Sequence, residues 1–313
     1  FQPDQYGRFE ANQSFLYQNN LLQQAIVHQY AAEIEQRIQT VFSNFTFQKK
    51  RSFQVEMTLD IDNAFAYLHK GIKRSVLATA GNLYHRQWQE LQQRFLTYSQ
   101  LKKDKYDNYE WLNYIHQKYN AKPIYFFLLG DYDKFDKNLS HKNAHLQQLI
   151  RKTAQQYEVG IHPSFASNEK PEKISIEKQR LETITQQKIT KSRQHYLRLS
   201  MPQTYQRLVA TGITDDYSMG YGSEIGFRAG IAVPFAWYDL AEEKTTTLTI
   251  HPFAIMDATL HYYLRVAAEQ VPNCTQQVIQ EVKQHNATLG LLFHNELIAD
   301  ANWKKVYEYL MSS

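Results

Sequence analysis

The sequence predicts an α/β protein, a parallel barrel-forming sheet preceded by an N-terminal helical segment. Seven short β-rich runs lie along the chain, most separated by helical patterns, and strict alternation of this kind implies a parallel sheet and, at this number of units, a barrel. The length, 313 residues, suits one closed α/β barrel. Asp and His collect at the C-terminal ends of the runs, where barrel proteins carry their functional residues.

Residues 1–47 are rich in Gln, Asn and Tyr. Leu22, Ile26, Tyr30, Ile34 and Ile38 recur at helical spacing, so one amphipathic helix is expected over 21–42, packed on the main domain. The GRF stretch at 7–9 reads as the tail of something longer, and with Phe1 in place of Met at the start an upstream region is expected. The expected division is a helical segment over 1–47 and a barrel over 48–313.

From Lys49 onward, strand and helix patterns alternate. The first strand is the apolar run 53–59, which leads into Asp60 and Asp62. A helical region over 75–118, broken near 102–108, follows it. The second strand is PIYFFLLG at 123–130, then comes a Gly/Asp/Lys-rich loop and a helix around 143–157. The third strand, 157–162, ends in GIHPS, and a helix covers 171–190. The fourth is placed at 195–200, with Pro202 opening a helix, where Pro is well tolerated. The fifth is a short run near 212–216. The sixth, 245–250, is rich in β-branched residues and ends at His251, with helices over 257–269 and 275–285 after it. The seventh, 289–293, ends at His294, and the last helix is 302–311.

Composition narrows the class. An apolar content of 43% with 14% aromatic residues is that of a globular chain. A net charge of +4, with no arginine-rich run, argues against a nucleic-acid partner. The single cysteine, Cys274, excludes an intrachain disulfide framework and a multi-cysteine metal site, and it fits a reducing compartment, so a cytoplasmic location is expected. No apolar run approaches the roughly 20 residues needed to span a bilayer.

The strand ends hold Asp60 and Asp62, Asp131, His162, Asp215 and Asp216, His251 and His294. Residues two apart on a strand share a face, so the first strand aims Asp60 and Asp62 at one spot. Buried carboxylates are costly unless paired, hydrogen-bonded or metal-bound. The bland alternative is an Asx-type cap on the following turn.

In order along the chain, these ends resemble the motifs of the NodB-like polysaccharide deacetylases, carbohydrate esterase family 4 in the broad sense. Thr58-Leu59-Asp60-Ile61-Asp62 is similar to the family's T-F-D-D with one extra residue between the acids. His162 opens the H-[S/T]-x-x-H motif, but Ala166 stands where its second His belongs. Arg193-Gln194-His195-Tyr196 resembles R-x-P-Y, with His in place of Pro. Asp215-Asp216-Tyr217 occupies the Asp-rich turn, and Leu292-Phe293-His294 matches L-x-H. The resemblance spans roughly 53–311 and implies a distorted (β/α)7 barrel.

It also implies roles. Asp60 would be the general base and Asp62 a ligand to a divalent metal, zinc first, with cobalt and nickel as alternatives. His162 would be a second ligand. Since Ala166 cannot coordinate and zinc hydrolases use three protein ligands, a third must come from elsewhere. His195 is the first candidate, with His251 and His141 behind it; a capping or surface role is the alternative for each. Arg193 would orient the base through an acidic partner, Asp216 or Asp215, and Tyr196 would present a backbone N–H to the developing oxyanion. His294 would be the general acid. Outside the motifs, Arg228 could meet an anionic sugar or a phosphate, which suits a guanidinium, the aromatics near it (Tyr217, Tyr221, Phe227, Phe235 and Trp237) could stack on sugar faces or be core, and Asp215 could touch substrate.

The function expected is metal-dependent removal of an acyl group from a carbohydrate, a surface polysaccharide or its precursor. One rival is a non-catalytic glycan-binding relative with a degraded site, which Ala166 favours. Another is a glycosidase using Asp60 with Asp216 as its two carboxylates.

Overall fold

The computed structural model describes residues 2–45 and 51–313, so the expected boundary at 47–48 lies outside the described residues. Its strands are β1 (Gln54–Ile61), β2 (Ile124–Phe127), β3 (Glu158–Ile161), β4 (Lys191–Ser192), β5 (Asp215–Asp216), β6 (Phe235–Asp239), β7 (Lys244–Ile250), β8 (Ile255–Met256) and β9 (Thr288–His294). They form one curled sheet in the order β6-β7-β5-β4-β3-β2-β1-β9-β8, parallel except for the β6–β7 hairpin. The helices are α1 (Phe15–Gln18), α2 (Ile26–Val41), α3 (Ile72–Tyr84), α4 (Trp88–Tyr98), α5 (Tyr109–Lys118), α6 (Ala144–Ala154), α7 (Glu172–Thr185), α8 (Gln203–Ala210), α9 (Val271–Gln284) and α10 (Ala301–Met311).

Strand β1 sits between β2 and β9 and organises the rest. Its odd residues Met57, Leu59 and Ile61 enter the main core with Leu112, Leu289 and Tyr307. The even ones face the concave side, where Thr58 donates to the Leu291 carbonyl at 2.6 Å. Burying Leu59 and Ile61 therefore forces Asp60 inward, because a one-residue slip would exchange the two faces. The register places Asp60 beside His294 on β9 and Phe126 on β2.

Three expectations change. The run 195–200 is not a strand: β4 stops at Ser192, and the chain leaves the sheet as the His195 N–H bonds to the Pro163 carbonyl at 3.1 Å. Tyr196 and Leu197 then take left-handed conformations (φ 59° and 56°), which no strand tolerates. The helix over 257–269 shrinks to short turns at Thr259–Tyr263 and Ala268–Gln270. The strands β6 and β8 were not foreseen.

Barrel closure falls to the glycine-rich stretch 218–230, which packs at the side where the sheet's two edges, β6 and β8, do not pair. The Gly226 N–H donates to Ala254, the Phe253 N–H to Met219, and the Phe227 N–H to Leu22 of the N-terminal segment. Gly226 has φ +129°, and a Cβ there would sit 2.3 Å from the Leu22 carbonyl oxygen, so only glycine lets the two backbones meet. The N-terminal segment is further held to the barrel by Val27 N–H to Gly230 and by Ala25 N–H to the Glu281 carboxylate at 3.0 Å.

Candidate active site

The C-terminal ends of β1, β3, β4 and β9 converge on a cleft of about 390 Å³. Asp62 follows β1, His162 follows β3, and His195 lies in the turn after β4. One donor atom from each lies within 4.8 Å of the others. The Nδ1 of His162 faces the Arg193 carbonyl at 2.5 Å, and because a carbonyl can only accept, Nδ1 carries the proton and donates. The Nδ1 of His195 faces the Asp136 carboxylate at 2.9 Å. Both rings thus turn Nε2 toward Asp62, at 3.2 Å for His162 and 3.5 Å for His195. Although His162 is that near, the buried Oδ1 of Asp62 makes no hydrogen bond among the described residues.

This donor set fits a divalent metal. Two imidazoles and a carboxylate are a ligand set for zinc and its neighbours. An Nδ1 tied to a carbonyl or carboxylate is how metal-binding histidines are oriented, and an unsatisfied carboxylate oxygen is what a cation would complete. Burial works to raise the Asp62 pKa, but the His195 and His162 rings outweigh it and hold it well below the carboxylate range. Burial likewise opposes charging of His195, yet Asp62 and Asp136 raise it to about 9.

Asp60 stands beside the trio. Its Oδ1 accepts from the Arg193 Nη1 at 3.1 Å, and its Oδ2 is 3.6 Å from the His162 Nε2. Arg193 is fully buried and also donates through Nε to the Tyr217 carbonyl at 2.9 Å. Its guanidinium lies over the Phe126 ring, 4.8 Å from the centroid, so its charge is met by an anion and by aromatic faces. On β9, His294 pairs through Nδ1 with the Asp257 carboxylate at 2.7 Å, while its own backbone N–H donates to the other Asp257 oxygen, also at 2.7 Å. Burial lowers the His294 pKa, but Asp257 dominates and raises it to about 10. Asp257 thus favours the protonated imidazole.

Comparison with solved structures identifies the architecture. The chain superposes on a candidate polysaccharide deacetylase from Mycobacterium smegmatis with a TM-score of 0.55 at 12% identity, covering 86% of this chain and 85% of that one. The fold is that of the polysaccharide deacetylases. A second candidate polysaccharide deacetylase, from Pseudomonas aeruginosa PAO1, gives 0.51 at 11% identity over 84% of each chain. The Puue allantoinase gives 0.51 at 10% identity over 85% of each. Residues 1–43 match a family of unknown function, DUF7033. No curated protein matches the sequence significantly.

Seen on the deacetylase fold, the sequence candidates separate. Asp60, Asp62, His162, His195, Tyr196 and His294 all line the cleft. Arg193 reaches Asp60 directly and makes no hydrogen bond to Asp215 or Asp216, so the acidic intermediary expected between them is absent among the described residues. Asp216 lies behind Arg193 and accepts from Ser218, from its N–H at 2.9 Å and its hydroxyl at 3.0 Å; burial raises its pKa to about 6. Asp215 pairs with His251 at 2.9 Å, and neither lines the cleft. Arg228 also lies outside it, donating to the Gly220 carbonyl at 3.1 Å over the Tyr221 ring. His141 is on a loop and outside the cleft.

Two residues were missed by the sequence reading. Asp136, in the loop after β2, accepts the N–H groups of Phe165 (2.8 Å) and Ala166 (3.2 Å) as well as holding His195. Asp257 follows β8. The one signal for either was an acid near a strand end, and both lie in segments whose form was misread or irregular.

Proposed function

We propose that this chain is a metal-dependent hydrolase that removes an acyl group from a carbohydrate, with Asp62, His162 and His195 holding the metal. The observation that carries this reading is the convergence of those three side chains, each turned by a supporting group, between Asp60 and the His294–Asp257 pair. The position of His195 answers the loss of a ligand at Ala166. That supports an intact site over a degraded, glycan-binding one. Asp216, buried behind Arg193, is poorly placed as the second carboxylate of a glycosidase.

A bound divalent ion, zinc first, would polarise the acyl oxygen and lower the pKa of a water. Asp60, aimed by Arg193, accepts the proton of the water that attacks the acyl carbon. The Tyr196 N–H, in its left-handed turn, finds no acceptor among the described residues and is free to donate to the developing oxyanion. As the C–N bond breaks, His294 passes its Nε2 proton to the departing nitrogen, while Asp257 steadies the ring. The products are a carboxylic acid and a free amine.

The test is elemental analysis of the wild type, His162→Ala and His195→Ala, with acetate release measured from an N-acetylated oligosaccharide. The expected result is close to one equivalent of metal in the wild type, lost in both variants together with acetate release. A wild type that takes up no zinc, cobalt or nickel would overturn the reading.

A further inference from the structure

One wall of the cleft does not come from the barrel. Gln5, Tyr6 and Arg8 line it beside Asp60, Asp62 and His294. A tight turn fixes this stretch: the Asp4 carboxylate accepts the N–H groups of Tyr6 (2.9 Å) and Arg8 (2.8 Å) and pairs with the Arg8 Nε at 2.7 Å. The buried Arg8 guanidinium lies 4.9 Å from the Tyr6 centroid and 5.6 Å from that of Tyr263. It donates through Nη2 to the Tyr263 hydroxyl at 3.0 Å and reaches the Tyr196 carbonyl at 3.4 Å. Gly222 makes room for it, since a Cβ there would lie 2.3 Å from Nη1. Arg8 thus ties the N-terminal turn to the loops after β4 and β8, both of which line the cleft. The Tyr6 ring rests on Tyr196 at 4.9 Å.

We propose that the turn around Tyr6 is a substrate-specificity wall, in which Tyr6, with Tyr262 and Tyr263, binds the sugar ring next to the acylated one. The ligand class rests on the deacylase reading above. Tyrosine rings offer an apolar face and a hydroxyl at one edge, which matches a pyranose, and Tyr262 and Tyr263 leave 59% and 42% of their surface exposed at the rim. Arg8 is already paired with Asp4, so the wall calls for a neutral sugar and not an anionic one. The 390 Å³ cleft is at the low end of ligand sites, about 300–1,000 Å³, which suits a short saccharide end. Arg8 is a positioning residue: it sets where Tyr6 and Tyr263 stand.

The experiment compares wild type, Tyr6→Ala, Tyr6→Phe and Tyr263→Ala, each checked by thermal melting. Kinetics are measured on the N-acetylglucosamine tetramer and on 4-nitrophenyl acetate, which has no neighbouring sugar. Tetramer binding to chelator-treated protein is measured by calorimetry. Tyr6→Ala is expected to weaken tetramer binding and raise its KM roughly tenfold relative to the ester, with Tyr6→Phe retaining most of the affinity. Tyr263→Ala gives the same sign should Tyr6→Ala fail to fold. Equal effects on tetramer and ester, or none, would overturn the wall. A wild type that binds the tetramer without hydrolysing it, and loses binding in Tyr6→Ala, would keep the wall and sink the deacylase reading. A wild type that binds no acylated saccharide would overturn the wall as well.

Discussion

At the scale of single residues, the site depends on second partners as much as on ligands. Asp136 holds His195 with one oxygen while its carboxylate also gathers the Phe165 and Ala166 N–H groups, so it locks the loop carrying His162 to the turn carrying His195. Asp136→Asn keeps an oxygen for the backbone but weakens the charge-assisted bond to His195. Zinc affinity, measured against a competing chelator, is expected to fall about 10–100-fold. In a His195→Ala background the same change should cost little more; a full additional loss would show that Asp136 acts by another route. Asp257 invites a pH test. It is the main cause of the raised His294 pKa, so Asp257→Asn lowers that pKa. A general acid works only while protonated, so the alkaline limb of kcat/KM is expected to move to lower pH by about a unit or more. An unmoved limb would mean that His294 is not the proton donor.

At the scale of elements, what was legible in the sequence follows burial. Strands β1, β2, β3 and β9 were readable because both neighbours of each are strands: β2 is a continuous apolar run, and β1 alternates core-facing Val55, Met57, Leu59 and Ile61 with residues of the concave face. Strand β4 holds two residues, too few to show a period, and β6 alternates exposed with half-buried residues at the sheet edge; β5 is as short but lies within the run expected near 212–216. The carboxylates and His162 were readable as strand ends. The support of His195 by Asp136 was not, because it joins loops after β2 and β4 that are 59 residues apart. The glycines of 218–230 stand out in the sequence but their reasons do not: Gly226 lets its backbone meet that of Leu22, while Gly220, Gly222 and Gly230 leave room for the side chains of Phe253, Arg8 and Ile26. Gly226→Ala tests that. It strains a φ of +129° and drives a Cβ onto the Leu22 carbonyl. A loss of at least 1–3 kcal/mol in urea unfolding is expected, with earlier proteolysis of the N-terminal segment. Wild-type stability would show that the contact at Leu22 opens without cost.

At the scale of the whole molecule, stability should carry the mark of a histidine the site does not use. His116 on α5 is 1% exposed and shares a 2.6 Å hydrogen bond with the Tyr307 hydroxyl on α10, wedged against Tyr125 and Tyr157. Burial lowers its pKa from 6.5 to about 4. The native state therefore stays unprotonated at His116 between those values, while the unfolded chain takes up the proton. Unfolding gains protons in that window, so stability rises with pH through it and is lost as pH falls from 6.5 toward 4. The two pKa values imply a loss of about 3 kcal/mol over the whole window. His116→Gln keeps a polar partner for Tyr307 and removes the titration. Urea unfolding at pH 7.5 and pH 4.5 is expected to show the wild type losing about 2–3 kcal/mol more than the variant between the two conditions. The other titrating groups are common to both proteins and cancel in the comparison. Equal losses in the two would mean that His116 gains its proton without unfolding, through a local opening between α5 and α10.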